Sequence, residues 1–293
     1  MKINKSVAYV ITVYVLTGLY SLLFLKFPYG SGTVAGALTA CYMFMPFFAS
    51  LLLQKVIYKE PLKDIGIVIK WSNWYFAAAT IPIVLVFLTL GINLLFHGVS
   101  FDATASSYLD SMAKHFPASN AEAIKQKIEP LKAILPLIFA LQAFIAGFTI
   151  NGLFAFGEEA GWRGFFMNAL KGKKFYTSSI IIGIVWGFWH APIMLQGHNY
   201  PDHKVAGVFM MVIVTLLLAP LFAYAAIKAG TVLAAAIMHG VFNASSIIGL
   251  IYIKGGSDLL NGPVGLAGMI SLLIANIALF LYDRFVAKEK VIA

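Results

Sequence analysis

Long apolar runs recur along this 293-residue chain and constrain its fold more than any other feature. A helix needs roughly 20 apolar residues to cross the hydrocarbon core of a bilayer. The runs therefore predict an all-α, polytopic membrane protein with about eight transmembrane helices. Only 11% of the residues are charged and 60% are hydrophobic, which excludes an ordinary soluble enzyme and a disordered chain. The runs lie at 7–25, 32–53, 75–96, within 134–170, and at 175–196, 205–227, 231–253 and 263–282.

The positive charges indicate how these helices are oriented. A net charge of +9 would suggest nucleic acid as a partner of a soluble protein. Here the basic residues lie at the ends of apolar runs, where they contact lipid headgroups and set topology. If the N-terminus is cytoplasmic, 14 of the 21 lysines and arginines fall on that side. We therefore predict that both termini face the cytoplasm, that membrane lipid is a partner and that nucleic acid is not.

The chain reads as a single integral-membrane domain over 1–293. Residues 145–250 hold the motifs described below, and 97–132 are polar enough to lie outside the membrane. The stretch between Lys132 and Lys171 is too long for one plain span. We expect its start, near Pro136, to bend or to project from the bilayer.

Polar side chains inside a bilayer are costly and usually mark function. Glu158 and Glu159 are the acids that lie inside an apolar run, and His190 and His239 are the histidines that lie within predicted spans. Two more polar residues follow them at helical spacing. The candidate site residues are Glu158, Glu159, Arg163, His190, His239 and Asn243.

Distance from the flanking lysines predicts that these residues share one layer of the membrane. Glu158, His190 and His239 lie 13, 16 and 11 residues from the nearest cytoplasmic lysine of their own span. At about 1.5 Å per residue these depths are roughly 20, 24 and 17 Å. Residues three, four and seven apart share a helix face. Small residues on the faces of His190 and His239 should turn both histidines toward the bundle.

Helical spacing also separates the two glutamates. Glu159 and Arg163 are i, i+4 partners that can neutralise each other. Glu158 lies about 100° away around the helix. Glu158 is therefore the carboxylate that has no ion-pair partner on its own helix and can take part in a reaction.

These motifs resemble the CAAX prenyl endopeptidase and bacteriocin-processing family (CPBP, or Abi) of intramembrane proteases. Its pattern is EExxxR, then FxxxH, then HxxxN on successive helices. The first and third motifs match Glu158-Glu159-Arg163 and His239-Asn243. The second is matched by Trp186 and His190, with tryptophan where phenylalanine is commoner.

The resemblance implies an intramembrane endopeptidase that hydrolyses a peptide bond with water. It implies that Glu158, helped by His190, activates the water, and that His239 and Asn243 hold the oxyanion. Glu159 and Arg163 would fix the geometry. The implied substrate is a peptide or a prenylated protein, with scission reached from the cytoplasmic side. We expect the cell membrane as location if the organism is prokaryotic.

Three alternatives stay open at this stage. One carboxylate and two histidines can bind catalytic zinc, here through Glu158, His190 and His239; the resemblance favours a route without a cofactor. The same buried groups could serve a proton-coupled or cation transporter. A non-catalytic immunity or scaffold protein could keep the fold and use its cavity for binding.

Overall fold

The chain folds almost entirely into helices, and the computed structural model describes residues 4–106 and 126–292. The α-helices in these ranges are α1 (Lys5–Ser21), α2 (Leu23–Lys26), α3 (Thr33–Tyr42), α4 (Met45–Leu51), α5 (Trp74–Asn93), α6 (Leu135–Phe148), α7 (Ile150–Glu159), α8 (Met167–Ala169), α9 (Phe175–Trp189), α10 (Ala191–Met194), α11 (Lys204–Ala229), α12 (Leu233–Ser245) and α13 (Leu266–Phe285).

Shorter elements extend or connect these helices. Two π-helical segments, Leu52–Ile57 and Ala160–Phe166, continue α4 and α7. Single 3₁₀ turns lie at Leu62–Ile65, Glu129–Ile134 and Ser246–Gly249. Strands β1 (Val99–Phe101) and β2 (Ile253–Gly255) pair antiparallel, with Ser100 opposite Lys254. Apolar periodicity does not predict this ribbon, whose first strand lies at the start of the polar segment predicted for 97–132. Residues 107–125 of that segment lie outside the described ranges.

The all-α membrane fold is confirmed. Within the described residues, five helical segments are long and apolar enough to cross a membrane. A sixth is obtained if Thr33–Tyr42 and Met45–Ile57, which are bent by 41°, form one span. Two shorter apolar helices, Phe175–Trp189 and Leu233–Gly249, occupy the positions of two further predicted runs. The number eight and the orientation remain predictions.

The long run within 134–170 is interrupted at Thr149 rather than near Pro136. Pro136 lies in the first turn of α6, where its missing N–H would have had no helical partner. Thr149 leaves the helical region, with φ −125° and ψ −115°, and separates α6 from α7. The expected bend is therefore present, but it lies 13 residues further along the chain.

Helix α12 lies at the centre of the bundle, against α5, α6, α7 and α11. Its glycine at 240 lies directly against the backbone of α7. A Cβ on Gly240 would lie 2.7 Å from the backbone nitrogen of Gly152 and 2.8 Å from the carbonyl carbon of Asn151. Because only glycine permits this approach, α7 is held directly against the turn of α12 that carries His239.

The helix ends form two faces of the molecule. At the first, Lys5 pairs with Glu60 at 2.6 Å, and the Val232 amide donates to the Gly66 carbonyl at 3.1 Å. Lys228 Nζ donates to the carbonyl of Glu289 at 2.9 Å. We call this the basic face. It gathers the segments around residues 5, 55–73, 171–175, 228–232 and 284–292.

The other helix ends meet at what we call the opposite face. There the Tyr29 hydroxyl lies 2.7 Å from His198 Nδ1, and the Tyr200 hydroxyl donates to the Val264 carbonyl at 2.7 Å. Strands β1 and β2 lie at the same end, since Tyr252 donates to the carbonyl of Lys132 beside them. Helices α9 and α11 thus run from one face to the other.

Candidate active site

A cavity of about 290 Å³ lies between α3, α7, α9, α11 and α12, and four of the six predicted site residues line it. Glu158 comes from the end of α7, and His190 follows directly after α9. His239 and Asn243 stand one turn apart on α12. The three motifs therefore meet at one cavity, as their predicted depths require.

Glu158 is 2% exposed and is held by one hydrogen bond. The indole N–H of Trp186 donates to its Oε2 at 2.6 Å. A short hydrogen bond to an ionised group is among the stronger ones in proteins. This bond fixes one oxygen of a carboxylate that lines the cavity.

Glu159 and Arg163 lie behind the cavity wall, not in its lining. Arg163 Nη1 lies 3.0 Å from Oε1 and 3.0 Å from Oε2 of Glu159, and both side chains are fully buried. His239 Nδ1 donates to Glu159 Oε1 at 2.9 Å. Glu159 thereby links Arg163 to the imidazole that faces the cavity. The i, i+4 pairing expected from the sequence is present.

His190 is held by the backbone of its own helix. Its Nδ1 lies 2.9 Å from the carbonyl oxygen of Trp186. A carbonyl only accepts, so Nδ1 carries the proton and Nε2 is the free acceptor of the neutral ring. This tautomer suits a group that receives a proton from water.

Asn243 is the exposed member of the set, at the mouth of the cavity. An amide side chain offers two N–H donors. It reaches the same space as His239 because the two residues are i, i+4 on α12.

Trp186 is the site residue that sequence reasoning undervalued. The sequence presents it as an aromatic substitute for phenylalanine, but its N–H binds Glu158, which phenylalanine cannot do. Its ring also lies 4.5 Å under the guanidinium of Arg163 and 5.4 Å from the ring of His239. The tryptophan itself was the available signal, because a buried indole N–H usually finds a partner.

The zinc alternative, with Glu158, His190 and His239 as ligands, stays a prediction. Among residues 4–106 and 126–292, no three His, Cys, Asp or Glu side chains are grouped so that they could hold a metal ion. The protein partners of both histidine Nδ1 atoms and of one Glu158 oxygen still leave each of the three residues a second possible ligand atom.

A second cavity, of about 390 Å³, lies at the basic face. Arg163 and Ser179 form part of its lining, together with Lys171 and Lys173. Arg163 Nε and Nη2 have no hydrogen-bond partner among the described protein groups. The Glu159–Arg163 pair thus separates this cavity from the one that holds Glu158.

The cavity lining also bears on the side from which a substrate arrives. His198, Asn199 and Val264 belong to the opposite face and line the cavity that holds Glu158. No described residue of the basic-face segments lines it. A cytoplasmic basic face and scission from the cytoplasmic side, both expected from the sequence, stay predictions.

Comparisons with known proteins agree with the resemblance. Residues 134–245 match the family described as type II CAAX prenyl endopeptidase Rce1-like, and this segment contains all six predicted site residues. A stretch of 44 residues is 36% identical to the CAAX prenyl protease 2 of Methanococcus maripaludis. The matched stretch covers 15% of this chain and 16% of that relative.

Proposed function

The resemblance to the CAAX prenyl endopeptidase and bacteriocin-processing family is confirmed by the match over residues 134–245, and from it we propose that the chain is an intramembrane endopeptidase. One observation carries the proposal: Glu158, His190, His239 and Asn243, from three helices, line the same cavity. Membrane carboxylates and imidazoles are costly to bury, so their convergence favours chemistry over packing.

In the proposed reaction, a water molecule is positioned between Glu158 Oε1 and His190 Nε2. The carboxylate takes a proton as the water oxygen attacks the scissile carbonyl carbon. The same carboxyl group then passes that proton to the amide nitrogen as the C–N bond breaks. The products are a new carboxylate and a free amine.

His239 and Asn243 would stabilise the oxyanion that forms on the carbonyl oxygen. Donors aimed at developing charge in a dry site usually supply the largest catalytic contribution. To donate from Nε2, His239 must be protonated at both nitrogens. The contact between its Nδ1 and Glu159 Oε1 holds the imidazole in position beside the cavity. Arg163 holds Glu159 in place through contacts of 3.0 Å.

The cavity lining supports an uncharged stretch of peptide as substrate. It is mostly apolar and aromatic, including Tyr42, Trp189 and Leu218, and no lysine or arginine among the described residues lines it. A chain end with a free carboxylate would find no fixed cation there, so an internal bond is favoured. The proposed substrate is a peptide or a prenylated protein.

The test is cleavage of a peptide by the purified protein and its Glu158→Gln variant. Removing a general base costs about 100- to 10,000-fold in rate, so we expect loss of cleavage with unchanged folding. Glu60→Gln is the control, because Glu60 is half-exposed and pairs with Lys5 at the basic face. A strong chelator should leave the wild-type rate unchanged. Full cleavage by Glu158→Gln would refute the assignment.

One observation favours the transporter alternative: cavities approach the Glu159–Arg163 pair from both faces. The same variant separates the two functions. Loss of pH-driven uptake without any peptide cleavage by the wild type would favour the carrier. If the cellular function of the protein persists in Glu158→Gln, the result would favour the non-catalytic immunity or scaffold protein.

A further inference from the structure

The 390 Å³ cavity at the basic face is lined by more cationic than acidic side chains. Its cations among the described residues are Arg163, Lys171 and Lys173, and the acid in its lining is Asp64. Glu159 already balances the charge of Arg163, at a distance of 3.0 Å. The two exposed lysines therefore leave a net positive charge around the cavity.

Arg163 brings unused hydrogen-bond donors to the wall of this cavity. Its side chain is fully buried, and its Nη1 contacts Glu159. Its Nε and Nη2 atoms have no hydrogen-bond partner among the described protein groups. A buried charged donor that lacks a partner is destabilising, so an acceptor inside the cavity would be strongly favoured.

The beginning of α9 supplies further donors. Ser179, on its second turn, is 1% exposed, and its hydroxyl likewise has no partner among the described groups. Lys174 occupies the N-cap position and makes no side-chain cap. The first N–H groups of a helix have no partner within the helix and favour an anion. Phe175 and Ser178 line the cavity, so this helix end adjoins it.

The number of donors indicates which anion fits. A carboxylate offers two oxygens, whereas a phosphate group offers more and accepts from arginine, lysine, hydroxyl and backbone donors together. Basic pockets between membrane helices are also typical sites for lipid phosphates. Leu170, Ile182 and Ile227 line the same cavity and supply apolar contacts for the remainder of an organic phosphate.

We propose that the cavity at the basic face binds a phosphate group. The buried Arg163 and Ser179 donate to it from the wall, and the exposed Lys171 and Lys173 neutralise its charge. A lipid headgroup and free phosphate present the same oxygens to these residues. The site lies on the other side of the Glu159–Arg163 pair from Glu158, so it does not depend on the proposed peptidase reaction.

Inorganic phosphate tests the proposal on the purified protein in a maltoside detergent, which contains no phosphate. Bound lipid is first removed until phosphorus analysis finds none. Thermal unfolding is then followed in sodium phosphate and in sodium chloride of equal ionic strength. A ligand that binds the folded state raises the unfolding midpoint, and the concentration dependence gives an apparent Kd.

A double variant, Lys171→Gln with Lys173→Gln, removes the two exposed cations of the cavity. Lys55→Gln with Lys288→Gln is the matched control, because both lysines are exposed at the basic face and neither lines the cavity. Hydrogen bonds to charged groups are the stronger ones, so we expect the apparent Kd of the first double variant to rise about 10-fold or more. The control should bind as the wild type does. Equal weakening in both double variants would overturn the proposal.

Ser179→Ala tests the buried wall of the site. The change removes one unpartnered hydroxyl and adds no bulk, so the fold should be kept. We expect the apparent Kd to rise about 2- to 10-fold, as the loss of one hydrogen bond predicts. A Ser179→Ala variant that binds phosphate as the wild type does would overturn the placement of the ligand at this wall.

Two lipids that differ in the phosphate distinguish the sources. Phosphatidic acid is added to the delipidated protein, and diacylglycerol with the same acyl chains is its control. Stabilisation by phosphatidic acid with competition by inorganic phosphate would identify a lipid headgroup, and stabilisation by inorganic phosphate alone would identify the free anion. Either result supports the site. No stabilisation by either phosphate compound, or equal stabilisation by both lipids without an effect of inorganic phosphate, would overturn it.

Discussion

At the scale of single residues, Trp186 contacts four of the six predicted site residues. It donates to Glu158, lies under Arg163, and its ring centroid is 5.8 Å from His190 and 5.4 Å from His239. Its backbone carbonyl also accepts from the His190 ring. A single side chain thus sets the relative positions of the proposed base and its neighbours.

Trp186→Phe should keep the ring and lose the bond to Glu158. Hydrogen bonds to charged groups are worth about 1.5–3 kcal/mol, so we expect kcat to fall about 10- to 100-fold. Trp189→Phe is the matched control, since its indole N–H donates to Thr17 and not to an acid. Steady-state kinetics on both variants, with folding checked by thermal unfolding, measures the difference. Equal losses of kcat would show that only packing is involved.

The Glu159–Arg163 pair permits a second test at this scale. Arg163→Met leaves a buried carboxylate without its cation, which costs about 3–5 kcal/mol of stability. Adding Glu159→Gln removes that charge and should restore much of the lost stability. The double variant should remain poorly active, because His239 has lost the carboxylate at its Nδ1. Thermal unfolding and rate are measured on the same samples; a double variant as unstable as Arg163→Met would contradict the ion-pair explanation.

At the scale of elements, the position of α12 against α7 determines whether the motifs meet. Gly240→Ala would place a Cβ 2.7 Å from the backbone of Gly152, so α7 must move away from α12. We expect loss of stability of about 1–3 kcal/mol from overpacking and a lower rate, because Glu158 and His239 are on the two separated helices. Gly91→Ala in α5 is the control, because its Cβ would have no neighbour within 4 Å. Thermal unfolding and peptide cleavage are measured on both variants. A stable, fully active Gly240→Ala would show that this close packing of α12 against α7 is not required.

Sequence patterns located the helices better than their interruptions. Apolar runs and helical spacing sufficed to predict that Glu159 pairs with Arg163 and that the three motifs lie at similar depth. The break at Thr149 was missed because threonine carries no strong breaking signal, whereas Pro136 carries one that the first turn of a helix tolerates. The π-helical segment 160–166 also has no signature in apolar periodicity. The bond from Trp186 to Glu158 joins residues 28 positions apart, which local spacing cannot reveal.

At the scale of the whole molecule, the uneven charge of the two faces predicts a lipid preference. The basic face holds twelve cations against four described acids, Glu60, Asp64, Asp283 and Glu289. Each cation near an anionic surface contributes about 1 kcal/mol at most, and salt screens the effect. We expect higher thermal stability in nanodiscs that contain phosphatidylglycerol than in phosphatidylcholine alone. The difference should shrink in high salt; a difference that salt leaves unchanged would indicate specific lipid binding instead.

The pair formed by Arg163 and Glu159 has an electrical consequence. One hollow reaches Arg163 from the basic face, and the other reaches His239, the partner of Glu159, from the opposite face. If water filled both hollows, the transmembrane voltage would be concentrated across the layer that holds Glu159 and Arg163. The two side chains therefore act as insulation as well as scaffolding. Separation of the two side chains, as in Arg163→Met, would then open a path for protons across the membrane.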